Sequence, residues 1–141
     1  KTAEVAKAAG VDLVLEVVNR FETNLLNTAA QGLDFIAKTG SDHVRLHLDT
    51  FHMNIEEADM AEPIVAAGSL LGYVHIADNN RLQPGAGCLD FATPFRALKQ
   101  IGYQGYVSIE CSALGGPLEA DGPEVMLRAS AAFLRDQWAS A

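Results

Sequence analysis

Basic residues are scarce. Ten Lys and Arg stand against 18 Asp and Glu, giving a net charge of −8 and a pI of about 4.8. They are scattered singly, so the basic stripe that a phosphate backbone requires is missing, which argues against nucleic acid and against an anionic membrane surface as partners. Cysteine is nearly absent. Cys88 and Cys111 are too few and too far apart to make a disulfide framework, and a reduced, cytoplasmic setting is expected. No apolar run approaches the roughly 20 residues that a membrane span needs. Low-complexity segments and clear internal repeats are also missing. The chain opens on Lys1 with no basic-then-apolar leader behind it, so it is expected to start inside a longer reading frame or to have been processed.

What is present is the composition of a globular protein. The chain is 49% hydrophobic and 20% charged over 141 residues, enough for a single domain, 1–141, with one core. Strand-like runs are expected near 13–17, 44–49, 72–76 and 106–110, separated by helical patterns and turn chemistry. Thr2 to Ala9 favours a helix stopped by Gly10. An amphipathic helix is expected over roughly Asn24 to Lys38, with Leu25, Leu26, Ala29, Leu33, Ile36 and Ala37 on its apolar side and Gly32 inside it. After a loop over 50–58, a helix over roughly Met60 to Ser69 admits Pro63 only in its first turn. Thr93-Pro94 reads as N-cap and N1 of a helix that closes at Gly102. Asp121 and Pro123 open a last helix, with Val125, Met126, Ala129, Phe133 and Trp138 facing inward. Strands alternating with helices predict parallel crossovers and an α/β fold.

The organising stretch is Leu46-His47-Leu48-Asp49-Thr50-Phe51-His52-Met53-Asn54. Leu46 and Leu48 alternate with His47 and Asp49, the period-2 pattern of a strand with one face in apolar packing. An acid at the last inward position of such a strand is costly to bury unless it is paired or binds a metal. Aligned by their ends, the four strands present Glu16, Asp49, His75 and Glu110. In a parallel sheet covered by helices, strand C-termini lie at one end, where α/β proteins place their sites. A single Glu at a strand end is ordinarily a rim residue, and a single His ordinarily a hydrogen-bonded core residue. Four of four at equivalent positions outweigh that ordinary reading. Three carboxylates and one imidazole suit Mn²⁺, Mg²⁺ or Co²⁺ better than a structural zinc, and a divalent ion relieves their mutual repulsion.

These residues carry a family resemblance. Leu15-Glu16-Val17-Val18-Asn19-Arg20-Phe21-Glu22 and Leu48-Asp49-Thr50-Phe51-His52-Met53-Asn54-Ile55-Glu56-Glu57 resemble the ketose 3-epimerases, the D-tagatose/D-psicose 3-epimerase group. His75-Ile76 through Asn80-Arg81, Pro84-Gly85-Ala86-Gly87 and Ile101-Gly102-Tyr103-Gln104-Gly105-Tyr106 continue the likeness nearly end to end. The resemblance implies a xylose-isomerase-like (β/α)₈ barrel holding one divalent ion, commonly Mn²⁺, with Glu16, Asp49, His75 and Glu110 as its ligands. It implies Glu16 and Glu110 as the acid/base pair, and Glu22, His52 and Arg81 at the O1/O2 end of the ketose. The implied reaction inverts C3 of a free ketose through a cis-enediolate. Spacing alone would leave Glu22, His52 and Arg81 as solvated loop residues. Two stretches depart from the family pattern. After His75 the chain reads Ile-Ala-Asp-Asn-Asn-Arg, so Asp78 and Asn79 are expected to alter the rim near the substrate tail. The loop Cys-Ser-Ala-Leu-Gly-Gly-Pro after Glu110 is short. Gly85, Gly87 and Gly115-Gly116 lack a helix N-terminus directly behind them, so a phosphorylated sugar is not expected.

Four βα units make half of a barrel that needs eight strands and about 250 residues. The expected fold is therefore the C-terminal half, four βα units, of a (β/α)₈ TIM barrel. An open half leaves two unpaired edges and an apolar inner face, with Val14, Tyr73, Tyr106 and Ser108 looking into a shared interior. The expected partners are a small-molecule ketose and either a second copy of the chain, as a homo-oligomer, or the missing N-terminal half-barrel. Two alternatives stand beside the epimerase. One is an aldose–ketose isomerase of the same superfamily, hydroxypyruvate-isomerase-like. The other is an inactive metal-binding half-barrel module that serves assembly.

Overall fold

A computed structural model describes residues 1–112 and 118–141. Its elements run α1 (Thr2–Ala9), β1 (Leu13–Glu16), α2 (Ala29–Thr39), β2 (Val44–Asp49), α3 (Thr50–Glu56), α4 (Glu62–Ala67), a 3₁₀ turn (Gly68–Leu70), β3 (Leu71–Ile76), α5 (Ala92–Gln100), β4 (Val107–Ile109) and α6 (Leu118–Ser140). The four strands form one sheet in the order β1-β2-β3-β4, and each neighbouring pair is parallel. This is the α/β half-barrel architecture expected from the alternation of strands and helices. Among the described residues no helix is long and apolar enough to cross a membrane.

Alternation along the strands decides what is buried. Leu46 and Leu48 of β2 are fully buried, and Val44, Leu71, Val74 and Ile76 join them on the helix-facing side. Ile36, Ile64, Phe91, Phe95 and Leu98 complete this core, each large side chain contributing about 1.5–3 kcal/mol by leaving water. The opposite face is not the apolar surface expected of an open half. It carries Arg45, His47 and Asp49 of β2, then Tyr73, His75 and Ser108, and among the described residues only Val14, 47% exposed, is a large aliphatic there. Tyr73 and Ser108 share a hydroxyl–hydroxyl hydrogen bond of 2.7 Å across this face. Tyr106 precedes β4 and is 78% exposed, so it belongs to the loop.

The register of β3 depends on one residue. Leu46 pairs with Leu71 but His47 pairs with Tyr73, a bulge that leaves Gly72 as the extra residue. A side chain at Gly72 would collide with Arg45 of the neighbouring strand. Past the bulge, Val74 pairs with Leu48 on the core side and His75 with Asp49 on the other.

Several helix boundaries differ from expectation for local reasons. α2 starts at Ala29, because Thr28 forms a capping box with Gln31; Leu25, assigned to that helix, is 79% exposed before it. The stretch 50–58 is no loop. Thr50 to Glu56 is helical, with the Asp49 side chain accepting from the Phe51 N–H at 2.8 Å as its N-cap. Pro63 does sit in the first turn of α4. Thr93 does not cap α5. Asp90 does so from outside, accepting from the Ala92 N–H at 3.0 Å and the Thr93 hydroxyl at 2.6 Å. α6 is interrupted at Gly122 (φ 80°, ψ 161°), immediately before Pro123. Its inward side is Phe133, Leu134 and the buried Ser130, whereas Val125 is 53% exposed. Residues 113–117, expected as loop, lie outside the described residues.

Candidate metal centre and substrate site

β1 ends on Glu16, β2 on Asp49, β3 one residue past His75, and Glu110 follows β4 directly. Parallel pairing puts these ends side by side, and one donor atom from each of the four residues lies within 4.8 Å of the others. Asp49 is fully buried, while the Glu16, His75 and Glu110 side chains are 29%, 20% and 45% exposed. The cluster thus has a dry floor and an open mouth.

Arg81 reaches into this mouth. Its Nη1 donates to Asp49 Oδ2 at 2.6 Å and its Nη2 to Glu110 Oε2, and its guanidinium lies 4.7 Å over the Phe51 ring. The backbone of Arg81 is in the left-handed region (φ 62°), a conformation that costs a non-glycine residue about 1–2 kcal/mol. It is held there by its N–H donating to the Asp78 carbonyl at 2.9 Å and its own carbonyl accepting from the Ser112 N–H at 2.7 Å.

The charges respond to burial and to one another. Burial raises the Glu16 pKa above the usual carboxylate value, and the Glu110 and Asp49 charges add to it. Burial also raises that of Asp49, against the pull of Arg81. Glu110 moves the other way. Burial pushes it up, but His75 and Arg81 together bring it below the usual value. Arg81 touches both acids, yet their shifts oppose, because Asp49 is sealed from water and Glu110 is half exposed.

His52 stands beside the cluster, in the first turn of α3. Its Nδ1 receives the Asn19 N–H at 3.4 Å and the Asn19 amide at 2.8 Å. Two N–H donors converging on Nδ1 make it the acceptor and place the ring proton on Nε2, which faces Glu16 Oε1 at 3.8 Å. Burial lowers the His52 pKa, with the nearby Asp49 charge opposing. Asn19 also donates to Glu22 Oε1 at 2.8 Å, and Glu22 lies 3.9 Å from His52 Nδ1. All seven residues singled out from the sequence, Glu16, Glu22, Asp49, His52, His75, Arg81 and Glu110, are therefore gathered at one end of the sheet.

Three residues of the site went unrecognised in the sequence. Asn19 is buried and fixes the His52 tautomer. His47 lies one layer below Asp49 on the same face, with its ring 4.2 Å from that of His75; its alternation with Leu46 and Leu48 was the available signal. Asp78 is no rim residue. It is fully buried and accepts from the Gly85 and Leu89 N–H groups, each at 3.0 Å, shaping the loop that carries Arg81.

The donor set fits a divalent cation. Glu16 Oε1 and His75 Nδ1 are buried with no hydrogen-bond partner, although His75 Nδ1 lies 3.2 Å from Glu110 Oε2. Buried polar atoms are ordinarily satisfied, and two unsatisfied ligand-type atoms in one cluster of acids are what a cation would pair.

Comparison with known proteins places the fold in a family. The family profile described as xylose isomerase-like TIM barrel matches residues 1–137. The chain belongs to that family. An L-ribulose 3-epimerase of Mesorhizobium japonicum is 61% identical over 110 residues, covering 78% of this chain and 37% of the relative. A ketose 3-epimerase of Arthrobacter globiformis is 41% identical over 150 residues, covering 97% and 52%. A solved structure of L-ribulose 3-epimerase superimposes with a TM-score of 0.90 at 46% identity, covering 98% of this chain and 50% of that one. The chain thus spans about half the length, or less, of the xylose isomerase-like TIM-barrel relatives it matches, in keeping with four strands of an eight-stranded barrel.

Proposed function

We propose that this chain carries the cation-binding and acid/base side of a ketose 3-epimerase. The observation that supports it is the convergence of Glu16, Asp49, His75 and Glu110 at four adjacent strand ends, with unpartnered atoms on Glu16 and His75. The names of the relatives supply the substrate class. Glu16, Asp49, His75 and Glu110 would hold one divalent ion, Mn²⁺ by preference and Mg²⁺ or Co²⁺ otherwise. When bound, such an ion polarises the ketose carbonyl at C2 and acidifies the C3 proton.

Glu16 and Glu110 divide the proton transfers. One carboxylate takes the C3 proton and leaves a cis-enediolate; the other returns a proton to the opposite face and inverts C3. The raised pKa of Glu16 and the lowered pKa of Glu110 differentiate the two, the arrangement an acid/base pair needs. Arg81 and the Nε2–H of His52 stabilise negative charge at O2. Glu22, aligned by Asn19, binds the O1 end. No phosphate is required, and a free ketose is the substrate.

Incubation with Mn²⁺ and D-fructose, D-tagatose or a ketopentose in D₂O, followed by NMR, tests this. Deuterium at C3 together with the C3 epimer is expected. Exchange at C1 or C2 with an aldose product would assign an aldose–ketose isomerase instead. Tight Mn²⁺ binding without exchange would assign an inactive metal-binding module. We also propose that the unpaired edges of β1 and β4 close against a second half-barrel, either another copy or an N-terminal half. A stable monomer in sedimentation velocity would overturn closure by another copy.

A further inference from the structure

Arg81 occupies only one side of the cluster, the side of Asp49 and Glu110. Three other ligand-type atoms of the cluster make no bond to Arg81 or to any other group. Glu16 Oε1, His75 Nδ1 and His47 Nε2 are all buried and without a hydrogen-bond partner. Glu16, His47 and His75 form a second set whose donor atoms, one from each residue, lie within 4.8 Å of one another. The His47 side chain is only 6% exposed and its Nδ1 lies 3.9 Å from Glu16 Oε2. Two residues before Asp49 on the same face of β2, His47 sits one layer deeper in the sheet. A histidine kept only for packing ordinarily finds a partner for a buried ring nitrogen, and the Nε2 of this one has none.

We propose that Glu16, His47 and His75 form a second, deeper coordination set for an imidazole-preferring divalent ion, of which Zn²⁺ is the test case. Two imidazoles and one carboxylate make a three-ligand set of the kind in which zinc keeps an open fourth position. The four-residue set, with three carboxylates, suits a harder ion. The two sets share Glu16 and His75, so they are mutually exclusive. Zn²⁺ in the deeper set takes Glu16 away from proton transfer and displaces Mn²⁺. This inference rests on reading Glu16, Asp49, His75 and Glu110 as a divalent-cation site.

Calorimetric titration of Mn²⁺ and of Zn²⁺ into the wild-type chain, His47→Leu and Asp49→Asn separates the two ideas. His47→Leu is expected to weaken Zn²⁺ at least tenfold and to leave Mn²⁺ within about twofold; the retained Mn²⁺ affinity reports that the variant is folded. Asp49→Asn is expected to do the reverse. Wild-type Zn²⁺ affinity in His47→Leu, or an equal loss of both ions, would overturn the deeper set while leaving the Mn²⁺ site standing. Failure of the wild-type chain to bind either ion would overturn both readings.

Discussion

Thr50 is bonded twice to Ala77. Its Oγ1 donates to the Ala77 carbonyl at 2.7 Å and accepts from the Ala77 N–H at 3.0 Å. One hydroxyl thereby joins the end of β2 to the end of β3, next to Asp49 and His75. Thr50→Val keeps the shape and removes both bonds, leaving a buried N–H and carbonyl unpaired at a cost of about 1–3 kcal/mol. Denaturant melts should show that loss. Mn²⁺ affinity should fall with it, since the two strand ends that carry the proposed ligands Asp49 and His75 are no longer tied.

Arg81 is the positive charge that faces Asp49 and Glu110 in this structure. It neutralises Asp49, which has no access to water. Arg81→Ala should destabilise the metal-free chain by an amount near the low end of the about 3–5 kcal/mol typical of breaking a buried pair, since Arg81 is itself 24% exposed. Saturating Mn²⁺ should recover most of the loss, because the ion then neutralises the same carboxylate. Thermal melts of both proteins with and without Mn²⁺ check this; equal destabilisation in either condition would contradict it.

The strand ends were legible because a parallel sheet turns sequence period directly into position. Leu46 and Leu48 against His47 and Asp49 is a pattern that only one packing satisfies, and Glu16 follows the same rule beside Leu15 and Val17. What was hidden depends on contacts between distant segments. Asp49 ends a strand and caps the next helix at once, so no loop signal separates β2 from α3. The Thr28–Gln31 capping box was visible, but the apolar Leu25 and Leu26 before it extended the apparent amphipathic face. Nothing local marks Asp78 as buried, because its partners at Gly85 and Leu89 come from the far side of the loop.

Gly32 weakens α2 on propensity alone, yet it cannot be improved. A β-carbon there would stand 2.6 Å from Leu46 Cδ1 and 2.8 Å from Val17 Cγ1. The helix therefore lies against the sheet where only a glycine fits. Alanine would gain about 1 kcal/mol of helix propensity and lose about 1–3 kcal/mol to overpacking. Gly32→Ala should lower the denaturation midpoint; a rise would show that the sheet yields.

His47 gives the metal-free chain an acid-sensitive stability. Burial, and then the neighbouring His75, push its pKa from 6.5 down to about 4. The folded state therefore binds fewer protons than the unfolded one in that interval. The His47 penalty is absent above pH 6.5 and grows as pH falls toward 4, to at most about 3 kcal/mol at 1.36 kcal/mol per pKa unit. Glu16 and Asp49 act in the opposite sense, since raised carboxylate pKa values favour the folded state at low pH and cost stability as pH rises through them. Urea melts between pH 7 and 4 should show the His47 slope in the wild type and a shallower one in His47→Gln.

Asp78 is fully buried and supports the loop that carries Arg81. Its carboxylate holds the Gly85 and Leu89 N–H groups, and its carbonyl accepts from the Arg81 N–H at 2.9 Å. The loop is thereby folded back so that Arg81 can adopt its left-handed conformation and face Asp49 and Glu110. Asp78→Ala frees three N–H groups, those of Asn79, Gly85 and Leu89, and should cost about 2–4 kcal/mol, with part of the loss relieved by water entering the loop. If Arg81 stabilises charge at O2, the variant should lower kcat more than Mn²⁺ affinity, because the four strand-end residues stay in place while the guanidinium loses its support. Asp78→Asn, which retains one acceptor oxygen, should recover part of both stability and kcat. A variant that loses Mn²⁺ binding and kcat in equal measure would instead make Asp78 a general support of the sheet end, with no special bearing on Arg81.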